Sequence, residues 1–383
     1  MKNVLLVFGG VSYEHDISIV TAFQIYKKAR LNDVSLKLFY VSRDGKFYIC
    51  DEKKVTISDF SKTKFSGSNR GIREVVFVSG EKGKLFVKTH FGLKEIFDAD
   101  VAIFACHGGD GENGKLVTIF ENQGIACSAG SSDALAVCMD KFLFKSICKG
   151  LKIPVVSGFK ISKTEFANNK DVIARNLARL GFPVILKINS GGSSIGLFKA
   201  NTIEEFTEKI KQAFEFDEMV VAEKFIKNTR EFNVAILGDE QNFEISEIDE
   251  PLKNNDILTF ADKYLSGAKS SKGEKGSMSS ILRKAPENLS TQNVLKMKKI
   301  AEKIFIKLGL YGVIRIDFLF DELNDKIYVC EVNSIPGSLA YYFFKKNRII
   351  TNDLIEKLIA VAEKNYKKDK IKQEFMVDIL SKK

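Results

Sequence analysis

The chain has 383 residues, 45% of them hydrophobic and 28% charged, which are globular values with length for two or three domains. No apolar run is long enough to span a membrane, so no membrane partner is expected. The formal net charge of +10 invites a nucleic-acid reading. However, the lysines are spread among nearby acids, and neither a stacking module nor a helix-turn-helix is evident; the bias suits anionic small molecules such as nucleotides.

Asn3 to Gly10, NVLLVFGG, reads as a buried strand, too short and too quickly glycine-bound for a signal peptide. HDISIVTAFQIYKKAR then places Ile19, Ala22, Phe23 and Tyr26 at helical spacing. Strand, glycine turn and helix open an α/β unit. SLKLFYVSRDGKFYIC predicts two strands about an Asp-Gly turn. Glu52 to Lys82 is mostly polar and Ser/Gly-rich, and reads as an excursion from the first domain. DADVAIFACHGGDGENG is a further apolar strand running into a glycine-rich loop.

Asp133 to Lys149 is helical in pattern, and FPVILKINSGGSSIGLFKA predicts two short strands about a Gly-Ser loop. MVVAEKFIK and EFNVAILGDEQNFEISEI read as strands. Leu252 to Ser280 has little periodicity; so long a loop in a compact domain is a functional lid or a disordered segment. A helix covers Thr291 to Leu308, a strand pair follows, and a last helix near Asn352 to Glu363 precedes a charged tail. The six cysteines, Cys50, Cys106, Cys127, Cys138, Cys148 and Cys330, form no Cys-x-x-Cys. They read as core thiols in a reducing cytoplasm, and three histidines make a His/Cys zinc site an unexpected outcome.

The strand pair carries the chemistry. In GVIRIDFLF, Gly312 to Phe320, side chains alternate faces, so Ile314, Ile316, Phe318 and Phe320 seek a core while Arg315 and Asp317 share the other face. In KIYVCEVN, Tyr328, Cys330 and Val332 fall on one face, with Glu331 and Asn333 on the other. Folding about Asp321 to Asp325 puts Asp317 opposite Glu331, where cross-strand neighbours lie about 5 Å apart. Two carboxylates and an amide oxygen make a magnesium site that keeps positions open for phosphate. A solvated polar face, with Arg315 pairing Asp317, explains the same pattern.

The loop NSGGSSIG, Asn189 to Gly196, follows Lys187. Its glycines and serines could offer N–H and O–H donors to phosphate oxygens beside a lysine charge, or could simply turn a hairpin. Lys141, in MDK, reads as one solvated helical lysine. In HGGDGENG, His107 either sits in a flexible turn or faces a ligand with Glu112 organising the loop. In GGVSYEHDIS, Ser12 could cap a helix with Glu14 in its first turn, or Glu14 could receive an ammonium group.

Taken in order, these segments, with VVAEKFIKNTREFNV and KYLSG, resemble the D-alanine–D-alanine ligase family of the ATP-grasp superfamily over roughly residues 3 to 340. The resemblance implies an α/β, three-domain ATP-grasp architecture: an N-terminal parallel-sheet domain and two α+β domains clamping ATP. The expected boundaries are 1–128, 129–222 and 223–365, with a lid over 252–280 and a tail at 366–383. It implies ATP and two magnesium ions, with manganese able to substitute, and Asp317, Glu331 and Asn333 as the metal ligands. Lys141, Lys187 and Lys263 become phosphate lysines. Glu223 with the Lys224 and Ile226 backbone becomes the adenine contact, and Glu231 the ribose contact. Glu14, Ser193 and Tyr264 resemble a triad linking the N-terminal region, the Gly-Ser loop and the lid. His107 resembles a histidine near the first substrate, and Arg315 and the Gly337 N–H resemble oxyanion donors. A cytoplasmic enzyme of peptidoglycan synthesis, forming a homodimer, is the implied setting.

Two stretches depart from the family. The Pro-Gly is followed by Ser338, Leu339, Ala340, Tyr341 and Tyr342, with Tyr342 about where the family places a serine for the second substrate's carboxylate. Ser338 and Tyr342 are therefore the acceptor-side candidates. The run after Lys263, GAKSSKGEKGSMSS, is also unusual. These departures keep open a ligase with another acceptor amino acid or hydroxy acid. A non-catalytic nucleotide-binding scaffold or sensor is opposed by the intact Asp317, Glu331, Asn333 and Arg315.

Overall fold

A computed structural model describes residues 1–61, 65–66, 71–251, 283–345 and 347–374, with side chains through 368. The first sheet has eight strands. They are β1 (Lys2–Gly9), β2 (Val34–Val41), β3 (Phe47–Cys50), β4 (Ile72–Phe77), β5 (Lys84–Thr89), β6 (Gly92–Asp98), β7 (Val101–Phe104) and β8 (Ala126–Cys127). Their order is β6-β5-β4-β3-β2-β1-β7-β8. Within this sheet the pairing is parallel from β2 through β1 and β7 to β8, and the other ladders are antiparallel. The parallel expectation thus holds for half of the sheet. β1 is apolar on both faces because it lies inside that half, with Val4 to Phe8 fully buried. The polar excursion supplies β4, and with β5 and β6 it extends the antiparallel half, so its exposed residues lie toward a sheet edge.

α1 (His15–Lys28) follows β1 through Gly9 and Gly10, whose φ angles are 91° and 94°. A Cβ on Gly9 would lie 2.2 Å from the Val41 carbonyl oxygen, so only glycine makes this turn. Ile19, Ala22 and Phe23 of α1 enter the core, as their spacing predicts. α2 (Gly109–Glu112) and α3 (Lys115–Asn122) follow β7. The helical pattern after Asp133 becomes two helices, α4 (Ser132–Met139) and α5 (Lys141–Gly150). The break falls at Asp140, whose carboxylate caps α5 by accepting from the Leu143 N–H at 2.7 Å.

The next sheet contains β9 (Gly158–Ser162), β10 (Val184–Ile188), β11 (Phe198–Ala200) and β12 (Met219–Lys224), in the order β11-β10-β12-β9. α6 (Lys163–Asn168), α7 (Lys170–Leu180) and α8 (Ile203–Ala213) accompany it, and Ile173, Leu177, Phe206 and Ile210 share its core. The third sheet runs β14-β13-β17-β18. It is built from β13 (Thr229–Gly238), β14 (Phe243–Ile245), β17 (Gly312–Asp321) and β18 (Lys326–Asn333). A short pair, β15 (Glu250–Pro251) with β16 (Arg283–Lys284), lies beside it, and α9 (Thr291–Lys307) buries Met297, Ala301, Ile304 and Phe305 against it.

The cores do not follow chain order. α10 (Thr351–Glu374) puts Leu354, Ile355, Leu358 and Ile359 into the core of the first sheet, together with Leu339, Ala340 and Phe344. This helix is longer than its apolar pattern predicts. Its second half is polar but rich in Lys and Glu, which are good helix formers.

Candidate active site

The decisive register is as expected: Asp317 pairs directly with Glu331, and Arg315 with Asn333. The faces of β18 are not. A β-bulge lets Val329 pair with Phe318 while Glu331 pairs with Asp317, so Cys330 is the extra residue. Val329 and Val332 therefore both enter the core, and Tyr328 moves to the face opposite the one its parity predicts. The bulge also turns Cys330 toward the same cleft as Glu331.

That cleft lies between the second and third sheets. Lys141, Lys187, Ser193, Glu223, Lys224, Ile226 and Glu231 line it, facing Arg315, Asp317 and Glu331. α5 docks on the Gly-Ser loop: the Lys141 N–H donates to the Asn189 carbonyl at 3.1 Å and the Phe142 N–H to Asn189 Oδ1 at 3.2 Å. The Lys141 ammonium then reaches the Gly191 carbonyl and lies 3.7 Å from Glu331 Oε2.

Glu223, the penultimate residue of β12, lies between two lysines. Lys145 Nζ bonds its Oε1, and Lys187 Nζ lies 3.0 Å from Oε2. Burial alone would raise the Glu223 carboxyl, but the two ammonium groups outweigh it and bring its pKa down to about 2. Lys145 escaped the sequence reading, although it stands four residues from Lys141 on one helix face. Cys330 Sγ lies 3.7 Å from Lys187 Nζ and is the partly exposed thiol; the other five cysteines are buried, and all six are unpaired.

Asp317 is held by four donors. Arg315 Nε and one terminal guanidinium nitrogen donate at 2.7 and 2.8 Å, Asn233 Nδ2 at 2.7 Å and Asn333 Nδ2 at 3.1 Å. Burial opposes the Arg315 charge, but Asp317 beside it raises the pKa further above its ordinary value. The Arg–Asp pairing foreseen as the rival explanation is thus present inside the cleft, and neither group faces open solvent. Asn233, buried beside Asp317, gave no signal in the sequence.

The donor chemistry fits magnesium. Asp317 and Glu331 offer hard carboxylate oxygens in register, and Asn333 turns its Nδ2 to Asp317, leaving the amide oxygen as its ligand-type atom. Asp317 would release one of its four donors on ligation. Among the described residues no group of three or more His, Cys, Asp or Glu forms an alternative cation site.

A second cluster adjoins the cleft through Ser193. Ser193 donates to Glu14 Oε1, joining the N-terminal region to the Gly-Ser loop as expected. Gly108 packs against Glu14, where a Cβ would lie 2.5 Å from Oε2. His107 is not aimed at the cleft: its Nδ1 bonds the Ile335 carbonyl and its Nε2 the Thr21 hydroxyl, each at 2.8 Å. Glu112 accepts from the Gly108 and Ile335 N–H groups at 2.8 and 3.1 Å. Burial, with Glu14 nearby, pushes its pKa up to about 7. Ser338 donates to Gln24 Oε1 at 2.8 Å from a fully enclosed position, and Gly337 is buried beside it. The Tyr342 hydroxyl is buried without a hydrogen-bond partner among the described residues, and the Arg283 guanidinium lies 4.3 Å over its ring. Lys263, Tyr264 and the lid expected over 252–280 lie outside the described residues.

Burial lowers the His107 pKa from 6.5 to about 4, against the Ile335 carbonyl, which raises it. The unfolded chain thus binds a proton there below about 6.5, the folded one only below about 4. Stability present above 6.5 is lost as pH falls through that window, by on the order of 3 kcal/mol. In urea unfolding, the advantage of wild type over His107→Gln should therefore shrink by that order between pH 7 and pH 4. An advantage independent of pH would contradict the neutral, enclosed imidazole.

Comparison with known proteins follows the same lines. Residues 3–130 match the family model "D-ala D-ala ligase N-terminus", and residues 147–360 match "D-ala D-ala ligase C-terminus". The D-alanine–D-alanine ligase of Thermosipho africanus is 34% identical over 372 residues, covering 97% of this chain and 96% of that protein. The solved D-alanine–D-alanine ligase of Coxiella burnetii shares the fold with a TM-score of 0.78 at 22% identity, over 97% of each chain. That of Bacillus anthracis, complexed with ATP, has a TM-score of 0.67 at 21% identity, over 96% of this chain and all of the other.

Proposed function

The chain belongs to the D-alanine–D-alanine ligase family of ATP-dependent ligases, and from that premise we propose that it joins two D-alanines for peptidoglycan precursor synthesis. One D-alanine carboxylate attacks the γ-phosphorus of ATP, giving an acyl phosphate and ADP. The amine of the second D-alanine attacks the acyl carbon, and inorganic phosphate leaves from the tetrahedral intermediate. The protein positions the reactants and neutralises charge.

The observation that carries this reading is the convergence of Asp317 and Glu331, in direct register, with Lys141 and Lys187 around one cleft. Lys141 and Lys187 face the phosphates, and the backbone from Glu223 to Ile226 faces the adenine. The two lysines on the Glu223 side chain keep it ionised at the base end of the cleft. Glu231 meets the ribose. Asp317, Glu331 and Asn333 would hold magnesium, which supplies positive charge against the transferring phosphoryl group. Arg315 and the Gly337 N–H serve the oxyanion, and Glu14 with Ser193 holds the first substrate's end of the cleft. A closed site protects the acyl phosphate from water. The same reading places the enzyme in the cytoplasm as a homodimer; among the described residues no helix is long and apolar enough to cross a membrane.

A second reading is favoured by one observation. Tyr342 places a ring under Arg283, and a hydroxyl with no hydrogen-bond partner among the described residues, about where the family has a serine, so a different acceptor is open. One assay separates the two. Purified protein is incubated with ATP, magnesium and panels of D- and L-amino acids and hydroxy acids, with phosphate release and product mass followed. Dipeptide from D-alanine alone is the expected result. Turnover with another acceptor establishes the second reading, and nucleotide binding without turnover for any pair contradicts both.

A further inference from the structure

We propose that Thr21, His107 and Glu112 form a clasp that positions the Pro336–Gly337 turn, acting on the reaction through this turn and not by touching a substrate. The proposal rests on the ligase reading, in which the Gly337 N–H faces the tetrahedral oxyanion.

The Ile335 residue is held at both its polar backbone groups. Its N–H donates to Glu112 Oε1 at 3.1 Å, and its carbonyl receives His107 Nδ1 at 2.8 Å. A carbonyl can only accept, so the proton of the neutral imidazole lies on Nδ1, and Nε2 must accept. The Thr21 hydroxyl therefore donates to Nε2 at 2.8 Å, and its oxygen in turn accepts the Ser338 N–H at 3.1 Å. The other Glu112 oxygen takes the Gly108 N–H at 2.8 Å, which ties the clasp to the His107 loop.

The chain is thus pinned at Ile335 and at Ser338, on either side of Pro336 and Gly337. Both pins come from the first sheet's unit: Thr21 lies on α1, His107 and Glu112 in the segment after β7. Both nitrogens of His107 are committed to protein groups, which removes it from direct substrate contact. The pinned segment also needs outside support. Ser338, Leu339 and Ala340 have φ angles of 55°, 46° and 50°, and this left-handed backbone costs about 1–2 kcal/mol per residue. Such a run persists only where surrounding contacts determine it. The clasp and the Ser338 bond to Gln24 provide those contacts.

Thr21→Val keeps the side chain's shape but removes the hydroxyl, leaving His107 Nε2 without a donor and the Ser338 N–H without an acceptor. Dipeptide turnover should fall between about 10- and 100-fold, since misplacing a reacting geometry by about 1 Å carries a loss of that size. Thr21→Ser should recover most of it. ADP formation in the first turnover, followed by rapid quench, should stay near wild type in Thr21→Val, and so should the KM for ATP. Equal losses in ADP formation and dipeptide would place the cluster on the first substrate and overturn the proposal, as would a fully active Thr21→Val. Hydrogen exchange gives a readout independent of activity. Peptides covering residues 334–342 should exchange faster in Thr21→Val and like wild type in Thr21→Ser. Unchanged exchange would sink the clasp whatever the protein catalyses, and a wild type inactive with every substrate would sink the ligase reading alone.

Discussion

Glu331→Gln is expected to lower kcat at least ~100-fold while the protein stays folded. The substitution keeps the side chain's size and removes one of two carboxylates that face each other across β17 and β18. Its structural cost is small. Glu331 is partly exposed, and its ionic contact with Lys141 is 3.7 Å long, in the range where solvent-accessible pairs contribute about 0–1 kcal/mol. Circular dichroism and thermal unfolding should therefore match wild type closely. A ligand set reduced from two anions to one binds a divalent ion far more weakly, and the phosphoryl group loses its neutralising charge. Near-normal turnover in a folded Glu331→Gln protein would remove this residue from the metal site.

Arg315→Met should damage both activity and stability, because the guanidinium holds Asp317 and, in the proposed reaction, also serves the oxyanion. Arg315 is 5% exposed and gives Asp317 two of its four hydrogen bonds. Breaking a buried pair on one side typically costs about 3–5 kcal/mol, since the abandoned charge stays buried. Losing an oxyanion donor costs about 3 kcal/mol in the barrier, or at least ~100-fold in rate. Arg315→Lys keeps the charge but cannot reproduce the two parallel N–H bonds, so it should recover stability better than rate. In Arg315→Met/Asp317→Asn the orphaned charge is gone, and unfolding in urea should show much of the stability restored with turnover still lost. A double variant as unstable as Arg315→Met alone would mean that the pair does not set the cost.

The site was legible where pattern and register act locally. Alternation along Gly312 to Phe320 and the short turn at Asp321 to Asp325 were enough to bring Asp317 opposite Glu331, because a turn fixes register in a hairpin. The bulge at Cys330 was not legible: it inserts one residue without disturbing the apolar count, and only the ladder reveals it. Lys145 was within reach, four residues from Lys141, but a lysine on a helix looks solvated until its carboxylate partner is known. The break at Asp140 was within reach too, since Asp is a strong capping residue. The Thr21, His107 and Ile335 contacts join positions 86 and 228 residues apart, and no local pattern encodes them. The extension of the first sheet by β4 to β6 was hidden for a different reason. They lie toward one end of the sheet, with β6 at its edge, and their exposed polar residues make them read as loop.

The central claim is that Asp317, Glu331 and Asn333 close a single pocket for a divalent ion and a nucleotide. Manganese is the direct probe, because its paramagnetic resonance signal reports the unbound ion. With wild type and a non-hydrolysable ATP analogue, the enzyme should take up manganese beyond what the nucleotide alone binds. Asp317→Asn/Glu331→Gln, folded by circular dichroism, should lose that additional uptake. If the double variant retains manganese as tightly as wild type in the presence of nucleotide, the ion is held elsewhere and the active site described here is wrong.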